Sequence, residues 1–571
     1  MIKTMKKNIN MKYSILLILF VFSLFVDVFA QKDTANAYNE NVVVVGSFNP
    51  QLANFLKKDF NPTISSEPEY KSEMKYSIFA QPLKVNYTVS PIKPAKMVGE
   101  PFDKLYGNYI RVGFGTGVSP YGELFVNNKR DKKKSLGLHL KHLSSRANIF
   151  DHAFTGFSNN QADVFGSIMN KTNTLKANLF INRDVVYYYG FKNDIIIDKS
   201  KLKDTTRQRY IDLGTSLSWF STHADSLHVN YRNDFSYHYF WNIDNANENS
   251  LDLNGFVNRK INWMKKFTKH QEVGMNYGVS HYFQDRGNLK INAGVVNLAP
   301  YISTKFGPIT LDLSPKFCIE TDTSSMAYFF PNIKLELDLL PSTLSAFGGL
   351  DGDLEYNSFR LTANKNQFIH HLFLSDYSIY KQIIFGGIKG AIGKDFSYNI
   401  VATNKKIENG LLFFNDSINK PMESWMGVIY DDISWFRAEF NSSLRISKKW
   451  AGYLSFAYNQ AEAKTEAKAW YIPNFDGSVG IEYNLADKFL VSSRLFFNGQ
   501  RFAKPSWNEA KNVDFVELKP FFDVNLTIEY RYSKILSAFL EFNNIAAQRY
   551  IIWNNYPSYK FRFLGGVTYS F

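Results

Sequence analysis

The sequence predicts an all-β protein, a transmembrane antiparallel β-barrel of about 22 strands preceded by a mostly irregular N-terminal segment. Three observations predict it. Segments near the C-terminus alternate strictly between apolar and polar residues, short polar turns alternate with long connections, and aromatic residues reach 16% while mean hydropathy stays at −0.26. Beyond the N-terminus no apolar run is long enough to span a bilayer as a helix, so a helical membrane protein is excluded. A barrel reconciles the numbers because only alternate residues face lipid.

The first 30 residues read as a secretory signal. Lys3, Lys6, Lys7 and Lys12 precede an apolar stretch from Ile15 to Val26, and Val28-Phe29-Ala30 supplies the small-residue cleavage site before Gln31. The stretch is shorter than the roughly 20 residues of a spanning helix, and Asp27 interrupts its end. Cleavage near Ala30 removes four lysines and one aspartate, so the net charge of +14 falls by three and the mature chain stays basic. In an envelope protein such a balance points to anionic lipid head groups or an anionic solute and not to nucleic acid. The single cysteine, Cys318, cannot form an internal disulfide.

Residues 31–105 form a second region, a periplasmic or lumen-filling segment. They hold seven of the 18 prolines, and proline removes ladder donors, so extended or irregular chain is expected, with one short helix over Gln51 to Asp59. Residues 106–571 form the barrel. Its first strand is expected near 107–117, a long one near 173–192 and the last over 560–571.

The clearest strands come late. Phe522, Val524, Leu526, Ile528, Tyr530 and Tyr532 alternate with Asp523, Asn525, Thr527, Glu529 and Arg531. After Ser533-Lys534 the pattern resumes as Leu536, Ala538, Leu540 and Phe542, with Phe539 as a large exception on the polar side. Alternation marks a half-buried strand but does not say which face is buried. Turn lengths do. Tight turns at Phe306-Gly307-Pro308, Leu340-Pro341-Ser342, Ile392 to Asp395, Ser447 to Lys449, Ala486 to Lys488 and Ser533-Lys534 alternate with long connections near 357–378, 408–430, 462–472, 501–514 and 546–559. Short turns at one rim and long loops at the other characterise a barrel with periplasmic turns and external loops. Lys129 to Lys134 reads as another such turn, and Arg111 as a polar strand position.

The final strand places Phe561, Phe563, Val567, Tyr569 and Phe571 on one face and Lys560, Arg562, Thr568 and Ser570 on the other. Phe563, Val567, Tyr569 and Phe571 resemble the terminal strand by which the assembly machinery recognises outer-membrane barrels. With Phe542-Asn543-Asn544-Ile545 and Arg549 to Pro557, the tail resembles the barrel end of TonB-dependent receptors, particularly those of Bacteroidota. The resemblance covers residues 106–571. It implies a cell outer membrane address, contact with outer-membrane lipid and lipopolysaccharide, and uptake or export of a solute.

The chain departs from that family before the barrel, because the 75 residues from 31 to 105 are too few for its plug domain. Glu40-Asn41-Val42-Val43-Val44-Val45-Gly46 resembles the segment by which such receptors pair with TonB. It also reads, and more simply, as a β-prone segment. A barrel of this width ordinarily holds a plugged lumen, so residues 31–105, the long loops and inward side chains, or a partner protein are expected to fill it. A structural or assembly scaffold without transport is the second reading.

No catalytic, cofactor or metal site is expected, and the chain does not read as an enzyme. There is no G-x-S-x-G, H-E-x-x-H or Walker-type loop. The pair His370-His371 falls in an expected loop, where neighbouring side chains on extended chain would point apart. Asp431-Asp432 with Trp435 matches no hydrolase pattern.

Overall fold

The computed structural model describes residues 106–571 except 129–130, 151, 192–202, 224–227, 262–267, 269, 288, 323–324, 416–424 and 506–512. The signal, the expected helix over Gln51 to Asp59 and the segment Glu40 to Gly46 therefore lie outside the described residues.

Twenty-four strand segments form one closed antiparallel sheet. They occupy 22 wall positions, because two positions are each built from two segments. Ile309–Leu313 continues as Lys316–Glu320 across Ser314-Pro315, and Ala327–Phe330 continues as Ile333–Leu340 across Pro331-Asn332. Proline has no backbone N–H to give to a ladder, which is why both breaks fall there. The ring closes where Asn108–Gly115 pairs with Ser119–Asn127 on one side and with Arg562–Ser570 on the other. Asn108 and Phe571 exchange backbone hydrogen bonds of 3.1 and 3.0 Å at this joint.

The expected apolar face of the last strand points out of the barrel. Phe561, Val567, Tyr569 and Phe571 are exposed, while Thr568 and Leu564 are buried. The same sense holds around the ring, with Leu179, Ile181, Leu251, Val279, Phe283, Ile384 and Phe522 among the exposed apolar residues. Water would make such a belt costly, whereas hydrocarbon matches it.

The exception at Phe539 has a packing cause. It turns inward, 2% exposed, under the Arg111 guanidinium, whose carbon lies 3.7 Å from the ring centroid. The ring occupies space that a side chain at Gly113 or Gly566 would need, and these two glycines face each other across the closing joint. Arg111 also pairs with Glu541. The expected polar strand position thus carries a structural ion pair at the seam.

All six expected tight turns lie on one rim, and the long connections lie on the other. One expectation fails in extent. Much of 408–430 is not loop, because Phe396–Asn415 and Met426–Arg445 are strands of 20 residues each. Its polar stretch is accommodated by a bulge at Glu408-Asn409, where Asn409 adopts φ 55° and donates to Tyr377 O at 2.7 Å and to Asp376 Oδ2 at 2.8 Å. Strands of this length exceed the roughly 9 to 11 residues that cross a bilayer, so they extend past the belt on the loop side.

Candidate functional site: the loop-side mouth

The loop between Leu344–Tyr356 and Tyr377–Ile392 contains a short helix, Phe359–Lys365, which the sequence reading missed. Ser358 caps it, its hydroxyl accepting from Leu361 N at 3.3 Å. This loop folds across the mouth and is held by strands far around the ring. Glu248, wholly buried, accepts from the Ser358 hydroxyl at 2.9 Å and from Arg360 N at 3.1 Å. Arg286, also wholly buried, donates to the carbonyls of Phe373 (2.8 Å) and His371 (3.1 Å) and to Ser375 Oγ (3.0 Å). The Tyr188 and Tyr210 hydroxyls donate to the carbonyls of Ile369 and Gln367, each at 3.1 Å. On another side, His370 N donates to Met426 O at 3.0 Å and Met426 N to Phe368 O at 2.8 Å.

A second loop, between Leu536–Asn543 and Arg562–Ser570, meets the first. Tyr556 stacks on Phe368 with centroids 4.0 Å apart, and the Tyr189 hydroxyl donates to Pro557 O at 3.2 Å. Arg501 donates to the carbonyls of Ile551 (2.6 Å) and Ile552 (3.1 Å), and Asn415 Nδ2 to Asn554 O at 3.3 Å. Between the two loops lies an apolar cluster that includes Val186, Tyr210, Phe240, Phe359, Ile369, Phe373, Met426 and Tyr556. Because these residues come from widely separated wall positions, the cluster is a cap over the mouth. Among the described residues, the long loops supply their part of the expected filling.

The charged groups of the cap respond to burial. Burial draws the Arg501 guanidinium down to about 10. It also depresses the His371 imidazole below its ordinary value, against the opposing pull of Asp244 at 3.4 Å.

His370 and His371 do not point apart as expected. A turn at His371-Leu372 brings the rings to 4.6 Å between centroids, and His370 stacks on Trp425 at 3.9 Å. They serve as cap packing. Among the described residues no three His, Cys, Asp or Glu side chains converge as a metal site. Asp431 receives the backbone N–H groups of Thr465 and Glu466, and Asp432 pairs with Lys464 at 2.9 Å, so this acidic pair anchors the loop 464–474. The holding residues Glu248, Arg286 and Arg501 escaped sequence reading because each looks like an ordinary polar position of a strand or loop.

Beneath the cap, against the inner wall, lies a cavity of about 380 Å³ whose lining includes Tyr282, Val295, Leu354, Tyr356, Leu361, Tyr380 and Lys405. Lower on the wall the inward polar face is internally paired, as in Arg437 with Asp476 (2.8 Å) and His238 with Asp212 (3.0 Å).

No family model and no curated protein matches the chain. Solved structures do. The siderophore receptor PirA from Acinetobacter baumannii aligns with a TM-score of 0.62 at 10% identity over 82% of this chain and 81% of that one. The pyoverdine outer membrane receptor FpvA from Pseudomonas aeruginosa aligns at 0.61 and 13% over 82% and 79%. The ferric-catecholate import receptor Fiu from E. coli aligns at 0.60 and 10% over 82% of each. This chain has the 22-strand barrel fold that these receptors have.

Proposed function

We propose that the protein is a barrel of the Gram-negative outer membrane, related to TonB-dependent receptors, that takes a solute through a lumen whose external mouth is shut at rest. The observation that carries the reading is the cap, two loops that meet across the mouth and are held from widely separated parts of one closed ring. A passive pore has no use for such a closure, whereas a receptor that admits one solute needs it. The apolar outward belt supports seating in lipid, with the turn rim in the periplasm and the cap outside.

In this reading residues 1–30 are removed near Ala30 and residues 31–105 are a periplasmic or lumen-filling segment. Glu40, Val42, Val43, Val44, Val45 and Gly46 are, in the same reading, the TonB-box-like segment that TonB engages. Phe563, Val567, Tyr569 and Phe571 form the signal read by the assembly machinery, and lipopolysaccharide surrounds the outer leaflet side.

The test is a cysteine crosslink in the native membrane, with Val43→Cys in this chain against cysteines in TonB. A disulfide adduct supports energised uptake. Absence of the adduct, with transport-independent partners recovered in stoichiometric amount, supports the scaffold reading.

A further inference from the structure

Above Leu350 the barrel ladder is open. Leu344–Tyr356 pairs with Ile333–Leu340 only as far as Leu350 opposite Ile333, and Asp351 to Tyr356 have no ladder partner on that side among the described residues. Two bulges, at Gly352 and at Lys381, shift the register of this strand and Tyr377–Ile392, and above them no ladder joins these strands to the hairpin Lys316–Glu320/Ala327–Phe330 among the described residues. The two layers then overlap. Leu354, Tyr356 and Tyr377, on the face that below the bulges points outward, pack instead against Val295, Cys318 and Phe330 of the neighbouring wall. The Tyr377 hydroxyl donates to Gly294 O at 2.9 Å, four wall positions away.

What joins the layers is side-chain packing, not ladder hydrogen bonds. The Phe330 ring fills the space above Gly352, where an added Cβ would come within 2.4 Å of it. Lys316 reaches over to donate to Gly352 O at 2.9 Å and pairs with Asp353 at 3.3 Å. Separating the layers breaks these contacts, the hydrogen bonds of Tyr377 to Gly294 and of Gln284 to Tyr356, and the packing of the apolar cluster, and leaves every strand's ladder intact.

The overlap joins two environments. On its outward side Phe317, Ile319, Met326 and Phe329 are all exposed. They stand at belt height, since Val295 pairs with both Glu320 and Ser280, on the strand that carries the exposed Val279 and Phe283. On the inward side is the cavity of about 380 Å³, which shares Tyr282, Val295, Leu354 and Tyr356 with the overlap. Its far wall carries the Lys405 ammonium, 5.1 Å from the Trp435 ring centroid and 6.0 Å from that of Tyr380, with no ion pair among the described residues.

We propose that this overlap is a lateral portal through which a single-chain amphiphile with an anionic head enters from the bilayer, its chain between Phe330 and Leu354 and its head against Lys405. The inference rests on the reading that the barrel sits in a membrane. The apolar overlap suits a chain once its layers part, and because Asp353 and Glu355 on the same cavity wall are paired with Lys316 and Lys365, Lys405 is the charge left to meet a carboxylate or phosphate head.

The experiment uses the full chain in phosphatidylcholine vesicles containing a diazirine-bearing palmitate, irradiated and mapped by peptide mass. Belt peptides carrying Leu179 and Ile181 label in any seated barrel. The portal predicts additional label on Leu354 to Tyr356 and on Tyr380. In a Cys318→Ser background, Phe330→Cys with Gly352→Cys should, when oxidised, lower the cavity label about tenfold while belt label persists, with recovery on reduction. Lys405→Gln, which leaves both layers intact, should lower it by a similar factor. Belt label without cavity label in the unmodified protein overturns the portal alone, as does cavity label indifferent to both variants. Absence of belt label overturns the membrane reading and the portal together.

Discussion

Arg286 Nη1 donates to the carbonyl oxygen of Phe373 at 2.8 Å, and its guanidinium carbon lies 4.7 Å from the centroid of the same residue's ring. One buried cation thus grips the cap loop by its backbone and by an aromatic face. The loop has little regular structure of its own beyond Phe359–Lys365, so its position depends on such outside contacts.

Replacing Arg286 with alanine removes three donated bonds and leaves buried acceptors without partners. The closed cap should weaken by roughly 2–3 kcal/mol. Limited proteolysis of the folded barrel would show it, with cleavage within 366–376 appearing in the variant and not in the parent. Equal resistance in both would show that Arg286 does not hold the cap.

Cap stability should fall in acid through His371. Its folded-state value is depressed, chiefly by burial, so the released loop binds the proton more readily than the closed one. Stability from this group is therefore complete above the unfolded value near 6.5 and is lost as pH falls through it toward the folded value. Asp244 opposes the effect and Arg286 adds to it. Hydrogen exchange over 366–376 should speed up between pH 7.5 and pH 5 beyond the chemical exchange trend, and His371→Gln should remove that excess. Protection that grows in acid would contradict the assignment.

The closing joint makes its own prediction. Phe539 fills the space left by Gly113 and Gly566, so Phe539→Ala opens a cavity at the joint and should cost about 3–5 kcal/mol. Gly566→Val should be worse for assembly, because its Cβ would lie 2.1 Å from Val112 O and 2.7 Å from Gly113 Cα. Heat-modifiable migration in detergent gels reports barrel closure. Both variants should lose the folded band at lower temperature, and Gly566→Val should yield little folded protein at all.

Trimming Phe571 removes the reciprocal backbone pair with Asn108 and one aromatic of the final face. Folding efficiency into vesicles should drop. Unchanged efficiency would detach the terminal residue from assembly.

Much of the wall was legible in the sequence, because period-two alternation and turn length report directly on which residues meet lipid and which rim they occupy. Phe522 to Arg531 and the final strand came out as expected for that reason. The cap was not legible. Its helix is only seven residues long, and its anchors are single charged residues on distant strands, joined only once the ring has closed. Glu408-Asn409, the start of the expected loop at 408–430, is instead a bulge absorbed within a strand. Phe539 looked like an error of pattern and proved to be the packing partner of two glycines that sequence spacing does not connect. The overlap behind the cavity depends on bulges at Gly352 and Lys381, which only the pairing register reveals.

The most direct measurement of the central claim is single-channel conductance of the purified full chain in a planar bilayer. A capped barrel predicts a nearly silent membrane with brief, small openings at neutral pH. Large, steady, porin-like currents from the unmodified protein would contradict the account.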